Sequence, residues 1–117
     1  MAVRVLIVDD DVAFREAVRK LLIERGYDVI GDAGTLAQAR VAVAELDPDA
    51  LLLDVNLPDG DGVSFSRELS ARGNGARILL TSSDSTAAPR RLVERSGAAG
   101  FIGKTELIGA RLTPYLG

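Results

Sequence analysis

The sequence contains no cysteine, no histidine and no tryptophan. Without cysteine there is no disulfide framework and no thiol chemistry. Without histidine there is no imidazole to bind a metal or act as a general base, and the chain cannot supply a phosphohistidine to itself. Without tryptophan, no indole reports on ligand binding. No apolar run approaches the roughly 20 residues of a membrane span. Met-Ala-Val-Arg at the N-terminus leads straight into a strand pattern, so no signal peptide is expected. There is also no basic patch. Twelve of the fourteen basic residues are arginine, scattered from Arg4 to Arg111, and the net charge is -3. That argues against a nucleic-acid surface and, with the absences above, leads to the expectation of a soluble, cytoplasmic chain. The 117 residues fit one domain, and a hydrophobic share of 47% supports an ordinary core.

Two kinds of segment alternate. Short runs rich in Val, Ile and Leu lie at Val3–Val8, Asp28–Asp32, Ala50–Leu53, Arg77–Thr81 and Ala99–Ile102, and they read as strands buried on both faces. The second, with its Asp28-Val-Ile-Gly-Asp32 alternation, suits an edge. Amphipathic stretches separate them. Val12–Arg25 carries Phe14, Val18, Leu21 and Leu22 on one stripe and is closed by Gly26. Thr35-Leu-Ala-Gln38 reads as a capping box for a helix ending near Leu46. Further helices are expected from about Val63 to Arg72, from Ala87 to Arg95 with Pro89 in its first turn, and from Thr105-Glu106 toward Pro114. Five alternating strands and helices imply a parallel sheet covered on both sides, with ligands at the carboxyl ends of the strands.

Those ends carry the chemistry. Asp9 and Asp10 follow the first run and Asp54 the third, Thr81 ends the fourth, and Lys104 lies just past the fifth. Isolated charges at the edge of a buried sheet are costly to desolvate, so clustered ones usually hold a cation or do chemistry. Three carboxylates drawn together repel, and a divalent cation relieves that. An all-oxygen set favours Mg²⁺, Mn²⁺ or Ca²⁺ over zinc. An ammonium and a hydroxyl beside such a cation make a place for phosphoryl oxygens, and a carboxylate can attack phosphorus to form an acyl phosphate. Asp54 is the best candidate nucleophile: it ends the central strand, beside the shaped loop Pro58-Asp59-Gly60-Asp61-Gly62. The plainer reading of Asp9–Asp10 is a helix cap, a role that suits Asp11 better. Arg90, Arg91 and Arg95 read as a solvated helix face, and Thr81 alone could be mere strand packing.

Four motifs, in order and over the whole chain, resemble the receiver domain of two-component response regulators. They are Leu-Ile-Val-Asp9-Asp10-Asp11, Leu-Leu-Leu-Asp54-Val-Asn56-Leu-Pro58-Asp59-Gly60-Asp61-Gly62, Leu79-Leu80-Thr81-Ser82, and Gly97-Ala-Ala-Gly-Phe101-Ile-Gly-Lys104. The resemblance implies a single receiver domain over residues 1–117, a doubly wound (βα)5 α/β fold with a five-stranded parallel sheet of flavodoxin-like order 2-1-3-4-5. It implies that Asp54 accepts a phosphoryl group from the phosphohistidine of a sensor histidine kinase or phosphotransfer protein. Mg²⁺ would be held by Asp10, Asp54 and the Asn56 carbonyl, with Asp9 acting through water. Lys104 would pair with the acyl phosphate, Thr81 would hydrogen-bond to it and shift, and Phe101 would be the aromatic switch, with small Ser82 leaving room for its ring. The product is a changed partner surface rather than turnover of a substrate pool. That surface would act on an output domain beyond this chain or on a separate effector, from a monomer or weak homodimer.

The sequence departs from the family at one point: Thr105 stands where proline often follows the lysine. Subgroups coupled to helix-turn-helix output domains often lack that proline too. A phospho-independent interaction module is the main alternative, although such variants usually lose an acid or the lysine. An aspartyl phosphohydrolase commonly has a second acid two residues after its nucleophile, where this chain has Asn56. A flavin site is disfavoured by the acidic loop after the first strand.

Overall fold

The apolar runs assemble into one sheet because each is too short and too evenly hydrophobic to be buried any other way. The computed structural model describes residues 1–84, 86 and 89–117. Its main strands are β1 (Arg4–Val8), β2 (Asp28–Ala33), β3 (Ala50–Asp54), β4 (Arg77–Ser82) and β5 (Gly100–Gly103). They lie in the order β2-β1-β3-β4-β5, all parallel, which is the expected order. Successive side chains enter opposite layers. Leu6, Val8, Leu51, Leu53 and Leu80 pack with residues of α2 (Leu36–Leu46) and α3 (Gly62–Ala71). Val5, Ile7, Leu52 and Leu79 pack with α1 (Val12–Glu24) and with Leu107, Leu112 and Leu116 of the C-terminal segment. The edge strand β2 exposes Asp28 and Asp32, and its register with β1 slips between Val5 and Leu6.

The helix ends follow local chemistry. Asp11 caps α1, accepting hydrogen bonds from the Ala13 and Phe14 N–H groups at 3.0 and 3.3 Å, and Gly26 takes the left-handed conformation after it at φ 89°. Thr35 caps α2 by accepting from Gln38 N–H at 3.1 Å, but the reciprocal half of the box is displaced: Gln38 Oε1 accepts from Gly34 N–H at 2.8 Å. Helix α4 is Arg90–Arg95, preceded by Pro89 in an extended conformation (φ -55°, ψ 144°). Proline thus stands before the helix instead of inside its first turn, and the expected start at Ala87 and Ala88 lies outside the described residues.

The last segment corrects the expectation of a helix from Thr105. Lys104–Glu106 forms a 3-10 turn, and only Thr113–Leu116 (α5) is α-helical, with Pro114 in its first turn. Leu107 and Leu112 are 1% and 3% exposed. Five residues apart, they would be turned from each other by roughly 140° on a continuous α-helix. Burying both against one face of the sheet requires the helix to break, and Gly109 between them eases the break. The Lys104–Thr105 peptide is trans. Among the described residues no helix is long and apolar enough to cross a membrane.

Candidate functional site at the carboxyl rim of the sheet

Parallel register brings the expected residues level. Val8 pairs with Leu53, so Asp9 emerges beside Asp54, and Asp54 pairs in turn with Thr81 on β4. Asp9 and Asp54 are buried at 1% and 5% exposure, while Asp10 is exposed. One carboxylate oxygen from each of the three lies within 4.8 Å of the others, and among the described residues no other cluster of potential metal ligands converges in this way. The two buried aspartates are held by the same device. Asp9 Oδ1 accepts from Asp11 N–H at 2.9 Å, and Asp54 Oδ1 accepts from Asn56 N–H at 3.1 Å. Each Oδ2 is left facing Lys104, whose Nζ lies 2.7 Å from that of Asp9 and 3.3 Å from that of Asp54.

Burial is the largest influence on Asp54 and raises its pKa. The Asn56 N–H pulls it down, the Asp9 charge raises it further and Lys104 lowers it, with a net upward shift. Burial also opposes the charge on Lys104, but Asp9 and Asp54 together outweigh that and its pKa is raised. Three carboxylates against one ammonium leave the pocket two charges negative when all are ionised. An all-oxygen set with that deficit suits a hard divalent cation. A second observation concerns the hydroxyl: Thr81 Oγ1 is buried without a hydrogen-bond partner among the described residues. Such a group costs on the order of 1–3 kcal/mol while unsatisfied, and an incoming ligand oxygen beside Asp54 would relieve it.

The remaining residues are placed as follows. Asn56 is exposed and begins a two-residue antiparallel ladder, Asn56–Leu57 with Gly60–Asp61. Phe101 is half-buried on the α4 side of the core and lines a shallow groove with Arg90, Val93 and Tyr115. It stands apart from the acidic pocket. Ser82 is buried, and its hydroxyl accepts from Asp84 N–H at 3.1 Å. Arg90, Arg91 and Arg95 are exposed, with Arg90 paired to Glu94 at 3.1 Å.

Four contributors escaped the sequence reading. The Phe14 ring lies under the Lys104 ammonium, 4.3 Å from Nζ to the centroid; its place on the apolar stripe of α1 made it look like core alone. Arg15 donates to the Asp9 carbonyl and approaches Asp32 on β2 at 3.5 Å. Gly62 packs so tightly that a Cβ would sit 2.1 Å from the Asp54 carbonyl oxygen, so any side chain there pushes the end of β3. Asp59, noticed only as part of a shaped loop, reaches helix α2.

The family model described as the response regulator receiver domain matches residues 5–110. Among relatives, the DNA-binding transcriptional activator DevR/DosR of Mycobacterium tuberculosis is 35% identical over 103 residues, 87% of this chain and 48% of that protein. The chemotaxis protein CheY of Bacillus subtilis is 34% identical over 82 residues, 70% of this chain and 68% of that protein. A structure of the NarL signal receiver domain from M. tuberculosis superposes with a TM-score of 0.82 at 32% identity, covering 92% of this chain and 91% of that one. The chain thus spans about half the length of DevR/DosR.

Proposed function

The chain belongs to the response regulator receiver family, and on that premise we propose that Asp54 is its phosphoacceptor, taking a phosphoryl group from the phosphohistidine of a sensor kinase or phosphotransfer protein. The observation that carries the proposal is the arrangement around Asp54: a buried carboxylate beside Asp9, 3.3 Å from Lys104 and paired in register with the unsatisfied Thr81 hydroxyl. An Asp54 carboxylate oxygen attacks phosphorus, the phosphorus–nitrogen bond breaks, and its electron pair leaves with the imidazole of the donor. Lys104 pairs with a phosphoryl oxygen and Thr81 donates its free hydroxyl to another, so both are satisfied better in the phosphorylated state than before it. Asp10, Asp54, the Asn56 carbonyl and, through water, Asp9 would hold Mg²⁺, which supplies charge neutralisation for the phosphoryl oxygens.

Inward movement of Thr81 and repacking of Phe101 would alter the surface around α4 and β5, a shift in population driven by contacts made only after phosphorylation. This is signalling rather than turnover of a substrate pool. We assign one receiver domain to residues 1–117, working in the cytoplasm as a monomer or weak homodimer. Its output is either a domain of the same polypeptide or a separate effector. With a net charge of -3, the receiver itself is not the nucleic-acid surface. Retention of Asp9, Asp10, Asp54 and Lys104 weighs against a phospho-independent module.

The test is intact mass after incubation with Mg²⁺ and a small-molecule phosphodonor. A single phosphoryl adduct is expected on the wild type and none on Asp54→Asn. An adduct on both would move the acceptor elsewhere.

A further inference from the structure

Helix α2 has 11 residues, and the N–H groups of its first turn need acceptors from outside the helix. Thr35 supplies two, its hydroxyl to Gln38 N–H at 3.1 Å and its carbonyl to Ala39 N–H at 3.0 Å. The other two are taken by a residue from a different part of the chain. Asp59 Oδ1 accepts from Leu36 N–H at 2.8 Å, and Asp59 Oδ2 from Ala37 N–H at 3.0 Å. Those two hydrogen bonds hold the Asp59 carboxyl below its ordinary range, and the Arg40 charge contributes in the same direction.

Asp59 is also the tip of the loop that follows Asp54. Asn56 pairs with Asp61 and Leu57 with Gly60, leaving Pro58 and Asp59 as the turn between them. Gly60 lies so close to α2 that a Cβ on it would meet Leu36 Cδ1 at 2.7 Å, and Leu36 is itself 4% exposed. The hairpin is therefore fastened to the N-terminus of α2 by both carboxylate oxygens and by one apolar contact. Asn56, at its base, donates to Asp54 Oδ1.

We infer that Asp59 is a positioning residue for the cation pocket: by latching the hairpin tip to α2 it holds the Asn56 main chain where a divalent cation can use its carbonyl. The inference rests on the reading that this pocket binds Mg²⁺ with Asn56 in its shell. Coupling between two sites is reciprocal. If the latch supports the cation, the cation supports the latch, and Mg²⁺ slows exchange of the Leu36 and Ala37 amides, which touch no cation ligand.

The experiment is a Mg²⁺ titration of the full chain followed by amide shifts and hydrogen exchange, for wild type, Asp59→Ala, Asp59→Asn and Asp10→Asn. Asp59→Asn keeps the size and one acceptor oxygen, which guards against a variant that merely fails to fold. Asp59→Ala is expected to weaken Mg²⁺ binding about tenfold, the low end of losses at groups that orient metal ligands. Asp59→Asn should fall between, and Mg²⁺ should raise protection at Leu36 and Ala37 most in the wild type, less in Asp59→Asn and not at all in Asp59→Ala. If Asp59→Ala loses that protection yet binds Mg²⁺ within about twofold of wild type while Asp10→Asn is impaired, Asp59 is a helix cap alone and the latch is overturned. If Asp10→Asn binds Mg²⁺ as the wild type does, the acidic-pocket reading itself fails and the latch falls with it.

Discussion

Asp54 is 5% exposed, and burial, reinforced by the Asp9 charge and opposed by the Asn56 N–H and Lys104, raises its pKa above the ordinary 3.8. A carboxyl whose pKa rises on folding binds its proton more tightly in the folded state. Its contribution to stability is therefore greatest below the unfolded value and declines as pH rises through the raised folded value. Without divalent cations, Asp54→Asn is expected to be more stable than the wild type at pH 7. The gap should close as the pH is lowered toward 4, as read by urea denaturation at both values. Equal stability at pH 7 would mean that Lys104 offsets the whole cost of burial. The charged members of the pocket were legible because an acid or a lysine at the end of an apolar run is conspicuous in any sequence. Phe14 was not, because a ring on an apolar helix stripe looks the same whether it packs on leucine or under an ammonium.

Element boundaries were legible where one residue decides them. Asp11 and Thr35 cap their helices, and Gly26, Gly73 and Gly97 adopt positive φ just beyond α1, α3 and α4. The C-terminal segment was not, because its helical appearance gives way to the demand that Leu107 and Leu112 share one face. Polar side chains from elsewhere satisfy its carbonyl groups. Arg25 donates to those of Ile108 and Ala110, Tyr27 to that of Gly117 at 3.1 Å, and Arg77 to those of Pro114 and Tyr115 at 2.7 and 3.2 Å. Arg77 thus serves the C-terminal end of α5 from the first residue of β4, where a cation is also favoured by the helix dipole. Arg77→Ala is expected to destabilise the fold by about 1–2 kcal/mol. Its effect should be largest in hydrogen exchange of α5, with Arg77→Lys recovering part of the loss. Unchanged exchange in α5 would remove Arg77 from that role.

At the scale of the molecule, the sheet shares its strands between two apolar layers. Leu79 and Leu80, adjacent on β4 and both fully buried, point into opposite ones. Truncating either to alanine should cost about 3 kcal/mol, a large part of the roughly 5–15 kcal/mol that holds a domain of this kind together. Because both layers depend on the same strands, each variant is expected to unfold in one transition with an unchanged urea dependence. Two separated transitions would show that the layers are independent.

The sequence by itself determined the alternation of strands and helices, the parallel sheet, and the rim that collects Asp9, Asp10, Asp54, Thr81 and Lys104. These follow from periodicity and from the position of charge within short segments, and both are local properties. Tertiary structure alone decided that Lys104 bridges Asp9 and Asp54 over the Phe14 ring, that Asp59 closes helix α2, and that the last helix is broken and held by arginines. Each of these joins groups far apart in the chain. Whether they meet depends on strand register and on which layer has room for each side chain, and only the assembled sheet sets those distances.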